Sequence, residues 1–202
     1  MKRQIWSWLC LVLAVGSYEF INWLPRETPI SLTTAFDSAT PTISLFVIPY
    51  LSFIPLIFLF VPLYLRHRGG LMLRYGVAVL ATQMILNVLY FVVPATVERP
   101  TLSGTDVFTV LLRDLVWGHD RQVNTFPSNH VALTVVALMV LWPTIHAAKR
   151  YLAGVWGLLI IASTLLVKQH VVADVAGGIA VAVLVTLLVT RLGVGSSHSG
   201  DK

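Results

Sequence analysis

Phe126-Pro127-Ser128-Asn129-His130 runs directly into Val131-Ala132-Leu133-Thr134-Val135-Val136-Ala137-Leu138-Met139-Val140-Leu141-Trp142. A polar turn that passes without a break into an apolar run places His130 in the first turn of a membrane-type helix. Backbone N–H groups at a helix start have no intrahelical acceptor and carry partial positive charge. Such a place suits an anion, phosphate above all. Ser and Asn are also favoured helix caps, and capping and anion binding use the same N–H groups. A second stretch, Lys168-Gln169-His170-Val171-Val172-Ala173-Asp174, opens the last apolar run. The two stretches are expected to form the halves of one phosphate-processing site at a membrane surface.

Working outward, the composition fits that setting. Of 202 residues, 56% are hydrophobic and 11% charged, and the mean hydropathy is +0.81. Soluble domains are nearer a quarter charged, and several runs approach the roughly 20 apolar residues that cross a bilayer. The net charge is +5, but the basic residues flank apolar runs and form no stripe, so they set topology and do not bind nucleic acid. Cys10 stands alone in an apolar run, which leaves no intrachain disulfide.

The fold predicted is all-α, one integral membrane domain over 1–202 with six transmembrane helices in a bundle. The spans are placed at about 5–24, 43–65, 71–93, 130–145, 152–167 and 170–192. Met1-Lys2-Arg3 before the first run resembles a signal peptide, with Ala14-Val15-Gly16 as a cleavage site. Apolar character continues through Phe20, Ile21, Trp23 and Leu24, which favours a retained helix. Glu19 and Asn22 near its far end are read as interfacial. Pro49, Pro55 and Pro62 should kink the second span, which neighbouring helices tolerate. Gln83 and Asn87 in the third are expected to hydrogen-bond between helices. In the connection 94–129, Val107, Val110, Leu111, Leu112 and Leu115 recur at helical spacing, interrupted by Arg113 and Asp114. That pattern predicts a short helix on the membrane surface.

Charge sets the orientation. With the N-terminus inside, nine cations fall on the inner side: Lys2, Arg3, Arg66, Arg68, Arg74, Lys149, Arg150, Arg191 and Lys202. Five fall outside: Arg26, Arg99, Arg113, Arg121 and Lys168. The positive-inside rule is satisfied. Arg99, His130, His170 and Asp174 then share the non-cytoplasmic face. The expected location is a bacterial inner (plasma) membrane, with both termini cytoplasmic and the site facing the periplasm.

His170 and Asp174, four apart, share a helix face. A carboxylate in so apolar a setting needs a partner. On one imidazole nitrogen it fixes the tautomer and leaves the other nitrogen free as nucleophile or base. A structural His–Asp pair joining helices accounts for the same spacing. His130 opens the fourth span as His170 opens the sixth, so an acid and a nucleophile would face one anion. Ser128 and Asn129 add donors. Arg99 and Lys168 are the outer cations nearest these groups in sequence, able to hold phosphate as a fork and as a point charge, or to serve as interfacial anchors. Arg113, Asp114, His119, Asp120 and Arg121 read as a solvated loop. No local ligand cluster indicates a metal.

In order along the chain, Arg99-Pro100, Pro127-Ser128-Asn129-His130 and His170-Val171-Val172-Ala173-Asp174 resemble the three signature motifs of the type-2 phosphatidic acid phosphatase superfamily, K-x6-R-P, P-S-G-H and S-R-x5-H-x3-D. Val92 stands where the first motif has its Lys, Asn129 where the second has Gly, and Thr164 where the third has Arg, while Ser163 is retained. Lys168 is placed to supply missing positive charge. The pattern is similar to the branch of sphingomyelin and inositol-phosphorylceramide synthases, as is the stretch from Asp37 through Pro49-Tyr50-Leu51-Ser52.

The resemblance implies an enzyme without cofactor or metal. His170 would attack phosphorus and form a phosphohistidine, Asp174 would orient it, and His130 would be acid and then base. Arg99, Ser128, Asn129 and Lys168 would hold the phosphoryl oxygens. The substrate implied is a membrane lipid phosphate or diphosphate, hydrolysed at the non-cytoplasmic face. Transfer of a phospho-headgroup between lipids is the alternative, since only the second acceptor differs. A non-catalytic transporter with a His–Asp proton relay and a vanadate-using oxidase are more distant alternatives.

Overall fold

A computed structural model describes residues 2–24 and 30–196. Arg26 and residues 197–202, Lys202 among them, lie outside these. Helices dominate. Lys2–Trp23, Ser44–Leu65, Gly69–Val92, Ala147–Leu166 and Val172–Arg191 are each long and apolar enough to cross a membrane. The fourth predicted segment forms a shorter apolar helix, Asn129–Thr144. Outside the helices, Ile30–Ser31 and Ala95–Thr96 make a two-residue parallel pair, with Ile30 opposite Ala95.

The Asn129–Leu141 helix lies at the centre, packed against Gly69–Val92, Ala147–Leu166 and Val172–Arg191. Its Val131, Ala132, Leu133 and Val136 are fully buried. Small residues let the backbones approach. A Cβ on Gly178 would stand 2.7 Å from the carbonyl oxygen of Ser128, and one on Gly76 would stand 2.8 Å from that of Ser7. The first contact seats Val172–Arg191 on the start of the central helix, the second seats Gly69–Val92 on Lys2–Trp23. Close approach of this kind replaces hydrophobic drive between membrane helices.

The proline-rich second segment stays helical by changing its winding. It begins as a 3₁₀ turn at Ser44–Phe46, runs as α-helix over Val47–Pro55, widens to a π-helix over Leu56–Phe60, and resumes as α-helix over Val61–Leu65. In π winding, Ile57 O would look to the N–H of residue 62, which is proline and has none. The hydroxyl of Tyr75 donates to Ile57 O instead, at 2.8 Å.

Two expectations about polar residues change. Gln83 Nε2 donates to Asn87 Oδ1 at 2.8 Å, so the pair closes within one helix and does not bridge two. Spacing of four permits both arrangements. Asn22 is 0% exposed and so is not interfacial. Its side chain donates to His119 O and accepts from Arg121 N and Asn124 Nδ2, which ties the first helix to the 119–124 loop.

In the connection between the third and fourth segments, residues 107–119 are helical, with a π turn at Leu111–Val116. Asp106 caps its start, accepting from Phe108 N and Thr109 N. Leu112 and Val116 pack with Val47, Tyr50 and Val167. This satellite cluster holds the connection over the ends of the second and fifth predicted spans.

Candidate active site

The two histidine stretches meet. Ser128 caps its helix, its hydroxyl oxygen accepting from Val131 N at 3.4 Å, while its own N–H donates to Asp174 O at 3.0 Å. Tyr90 donates to Pro127 O at 2.9 Å and fixes the turn, whose Phe126–Pro127 bond is cis. The starts of Asn129–Leu141 and Val172–Arg191 are therefore joined, and the ring centroids of His130 and His170 stand 6.2 Å apart.

His170 precedes its helix and does not lie within it. Val171 is the N-cap, and Asp174 closes a capping arrangement by accepting from Val171 N at 2.9 Å. The His170–Asp174 contact is thus made across the helix start. His170 Nδ1 lies 2.9 Å from Thr125 O and 3.3 Å from Asp174 Oδ2. Both partners only accept, so Nδ1 carries the hydrogen and Nε2 is left with its lone pair. Asp174 is 0% exposed and His170 7%.

His130 is held by ring packing. Tyr50 stacks on it at 4.1 Å between centroids, and Phe53 leans on it at 4.3 Å. Among the described residues no hydrogen bond to its ring is present. Tyr50 is in turn oriented by Asp120, which accepts from Tyr50 Oη at 3.2 Å and from Tyr18 Oη at 2.9 Å. Asp120, expected in a solvated loop, is therefore part of the site. Its sequence neighbours Arg121 and His119 hid it, because nothing local shows that two tyrosines from distant helices reach it.

Arg99 Nη1 donates to Trp117 O, and Nη2 donates to Asp120 O and Gln169 Oε1 at 3.1 and 2.7 Å. Burial pulls its guanidinium below the usual arginine value, against the raising effect of Tyr50 and Asp120. Lys168 has a left-handed backbone, φ 52°, and its Nζ donates to Asp37 O at 2.6 Å. Asp37 also accepts from Val172 N at 2.8 Å and from Thr34 N and Oγ1. Burial alone would raise the Asp37 carboxyl. The bonds from Thr34 and Val172 and the charge of Lys168 outweigh it and hold the group below the ordinary carboxylate value.

Three cavities converge here. A narrow one lies between the histidines and is lined also by Tyr50, Asp120, Thr125, Asn129 and Gln169. A polar one of about 350 Å³ opens beside His170 and takes in Asp37, Arg99, Lys168, Thr33, Ser38 and Thr40. An apolar one of about 340 Å³ ends on His130 and Asn129 and runs out past Val15, Leu51, Phe53, Ile54, Phe58 and Leu115. Of the predicted site residues, His130, His170, Asn129, Arg99 and Lys168 line these cavities, Asp174 stands behind His170, and Ser128 is fully buried in the joint between helices. No cluster of His, Cys, Asp and Glu able to hold a metal is present among the described residues.

Such a set offers a nucleophilic ring nitrogen and a second imidazole within reach of one small group, with cations alongside. No curated protein and no solved structure matches the chain. The comparison with protein families finds the PAP2 superfamily over residues 71–196, which contain Arg99, both histidines and Asp174. The chain is a member of the PAP2 superfamily of type-2 phosphatidic acid phosphatases and related phosphotransferases.

Proposed function

We propose that the protein hydrolyses a lipid phosphate or diphosphate at the non-cytoplasmic face of a membrane, through a phosphohistidine. The observation that carries this is the fixing of His170 Nδ1 by Thr125 O and Asp174 Oδ2, in a ring that lines one narrow cavity with His130. Six helices would cross the bilayer, the Asn129–Thr144 segment as a short span, with residues 107–119 lying at the outer interface. Nine inner against five outer cations support that orientation.

In the first step His170 Nε2 attacks phosphorus, the bond from phosphorus to the lipid oxygen breaks, and protonated His130 gives that oxygen its hydrogen. In the second, neutral His130 takes a proton from water as the water oxygen attacks phosphorus. The N–P bond then breaks, phosphate leaves and His170 is restored. Asp174 keeps Nδ1–H in place and balances the positive charge on the ring. Asn129 and the helix-start N–H groups after Ser128 hold the equatorial oxygens, while Arg99 and Lys168 supply positive charge from the adjoining polar cavity, so the charge stabilisation comes from fixed groups.

Headgroup transfer is the second reading, favoured by the paired cavities. His170 borders the polar space and His130 ends the apolar one. A phosphorylated headgroup on His170 would sit in the first while lipid chains exchange in the second. A lipid alcohol would then replace water.

The test incubates purified protein with labelled phosphatidate, polyprenyl diphosphate, and phosphatidylinositol with ceramide, beside His170→Ala. Phosphate release supports hydrolysis, and a new phospholipid supports transfer. Turnover unchanged in His170→Ala would sink both.

A further inference from the structure

Gln169 stands between Arg99 and the histidine pair. Its side chain is 4% exposed, and its Oε1 accepts from Arg99 Nη2 at 2.7 Å. A guanidinium only donates, so the amide oxygen must face it and the amide nitrogen must face away. Nε2 is buried and has no hydrogen-bond partner, and Gln169 is one of the residues lining the narrow cavity between His130 and His170. Thr125 Oγ1 and Asn129 Oδ1, in the same lining, are also buried without partners. Buried polar atoms left without partners are costly, so a cluster of them marks where a polar ligand belongs.

The cations are placed differently. Lys168 Nζ is engaged by Asp37 O. Arg121, which does line the narrow cavity, has its guanidinium over the Trp23 ring at 5.8 Å. Arg99 borders the polar cavity; of the residues lining the narrow one it bonds the backbone carbonyl of Asp120 and the side chain of Gln169.

We infer that Gln169 binds a phosphoryl oxygen through Nε2, and that Arg99 acts on that oxygen through the Gln169 amide. The inference rests on the function proposed above. Arg99 withdraws electron density at Oε1, which makes the Nε2 hydrogens stronger donors. A neutral amide polarised from behind thus presents part of a cation's effect without placing a full charge in the cavity.

Orthovanadate, which copies the phosphoryl group, serves as probe on the full-length protein in detergent. Gln169→Leu removes the donor at similar volume. Gln169→Glu keeps the oxygen that Arg99 holds and removes the donor, so it preserves the fold where Gln169→Leu fails to. In each variant that folds, the orthovanadate inhibition constant and the lipid KM should rise about tenfold or more, as for loss of a hydrogen bond to a charged group. For Gln169→Glu the melting temperature without ligand should stay at the wild-type value. A variant that matches wild type in KM and orthovanadate affinity overturns the inference alone. A wild-type protein that neither turns over lipid nor binds orthovanadate removes the proposed function, and this inference with it.

Discussion

The backbone N–H of Ser128 donates to the carbonyl of Asp174 at 3.0 Å. One bond thus joins the turn before His130 to the helix turn that holds His170, and Gly178 lets the two backbones come this close. Gly178→Val would drive a side chain into Ser128 O. It should cost about 1–3 kcal/mol, as overpacking does, and lower turnover by separating the histidines. Melting temperature and activity in detergent check this; wild-type values for both would show that the joint does not set the spacing.

Asp174→Asn keeps the size of the side chain and removes the charge behind His170. By analogy with a triad aspartate, turnover should fall by about 10³–10⁴. Thr125 O still holds Nδ1, so some ring orientation survives. Steady-state kinetics read the loss, and a change under tenfold would assign Asp174 to capping alone.

His130→Ala should cost roughly 10²–10⁴ on a lipid phosphate, the usual contribution of an acid–base group. With p-nitrophenyl phosphate the leaving oxygen needs little help, so the first step should recover and label should accumulate on His170. Equal losses on both substrates would remove the acid role.

Tyr50→Phe keeps the ring over His130 and removes the bond to Asp120, whereas Tyr50→Leu removes both. The first should weaken activity by a few fold, on the order of 1 kcal/mol. The second should cost considerably more, since the stacking at 4.1 Å is lost. Identical effects would mean that the ring does not position His130.

Acid should destabilise the protein partly through Asp37. Its folded carboxyl titrates below its unfolded value of about 3.9, so its stabilising effect is full above that pH and is lost as pH falls through the folded value. The melting temperature should drop on that limb, and Asp37→Asn should flatten the slope. Parallel wild-type and mutant profiles would contradict the role given to the carboxylate.

The helices were legible in the sequence because apolar runs of bilayer length have few other uses. Predicted and observed segments agree closely at most ends, with the fifth beginning earlier, at Ala147, because Ala147–Tyr151 form helix before the run turns apolar. His130 and His170 stood out because polar residues interrupt apolar runs there. Asn22, Asp120 and Gln169 did not stand out, since their roles depend on partners about 100, 70–102 and 70 residues away. Gln83 and Asn87 show the opposite limit, where spacing admits a bond within one helix as readily as one between two. Lys168 was expected to face phosphate, yet its Nζ holds a backbone carbonyl of Asp37. A left-handed residue points its side chain where the loop dictates, and no pattern of neighbours encodes that.

The polar set of Arg99, His130, His170 and Asp174 lies inside residues 71–196, while Tyr18, Asp37, Tyr50 and Phe53, which enclose it, come from earlier in the chain. Inheritance can act on these two portions separately. Drift before residue 71 would reshape the walls that a lipid meets and leave the reacting groups where they are. A chimera that exchanges only residues 1–70 with another member should change which lipid is chosen and keep the same order of bond making and breaking.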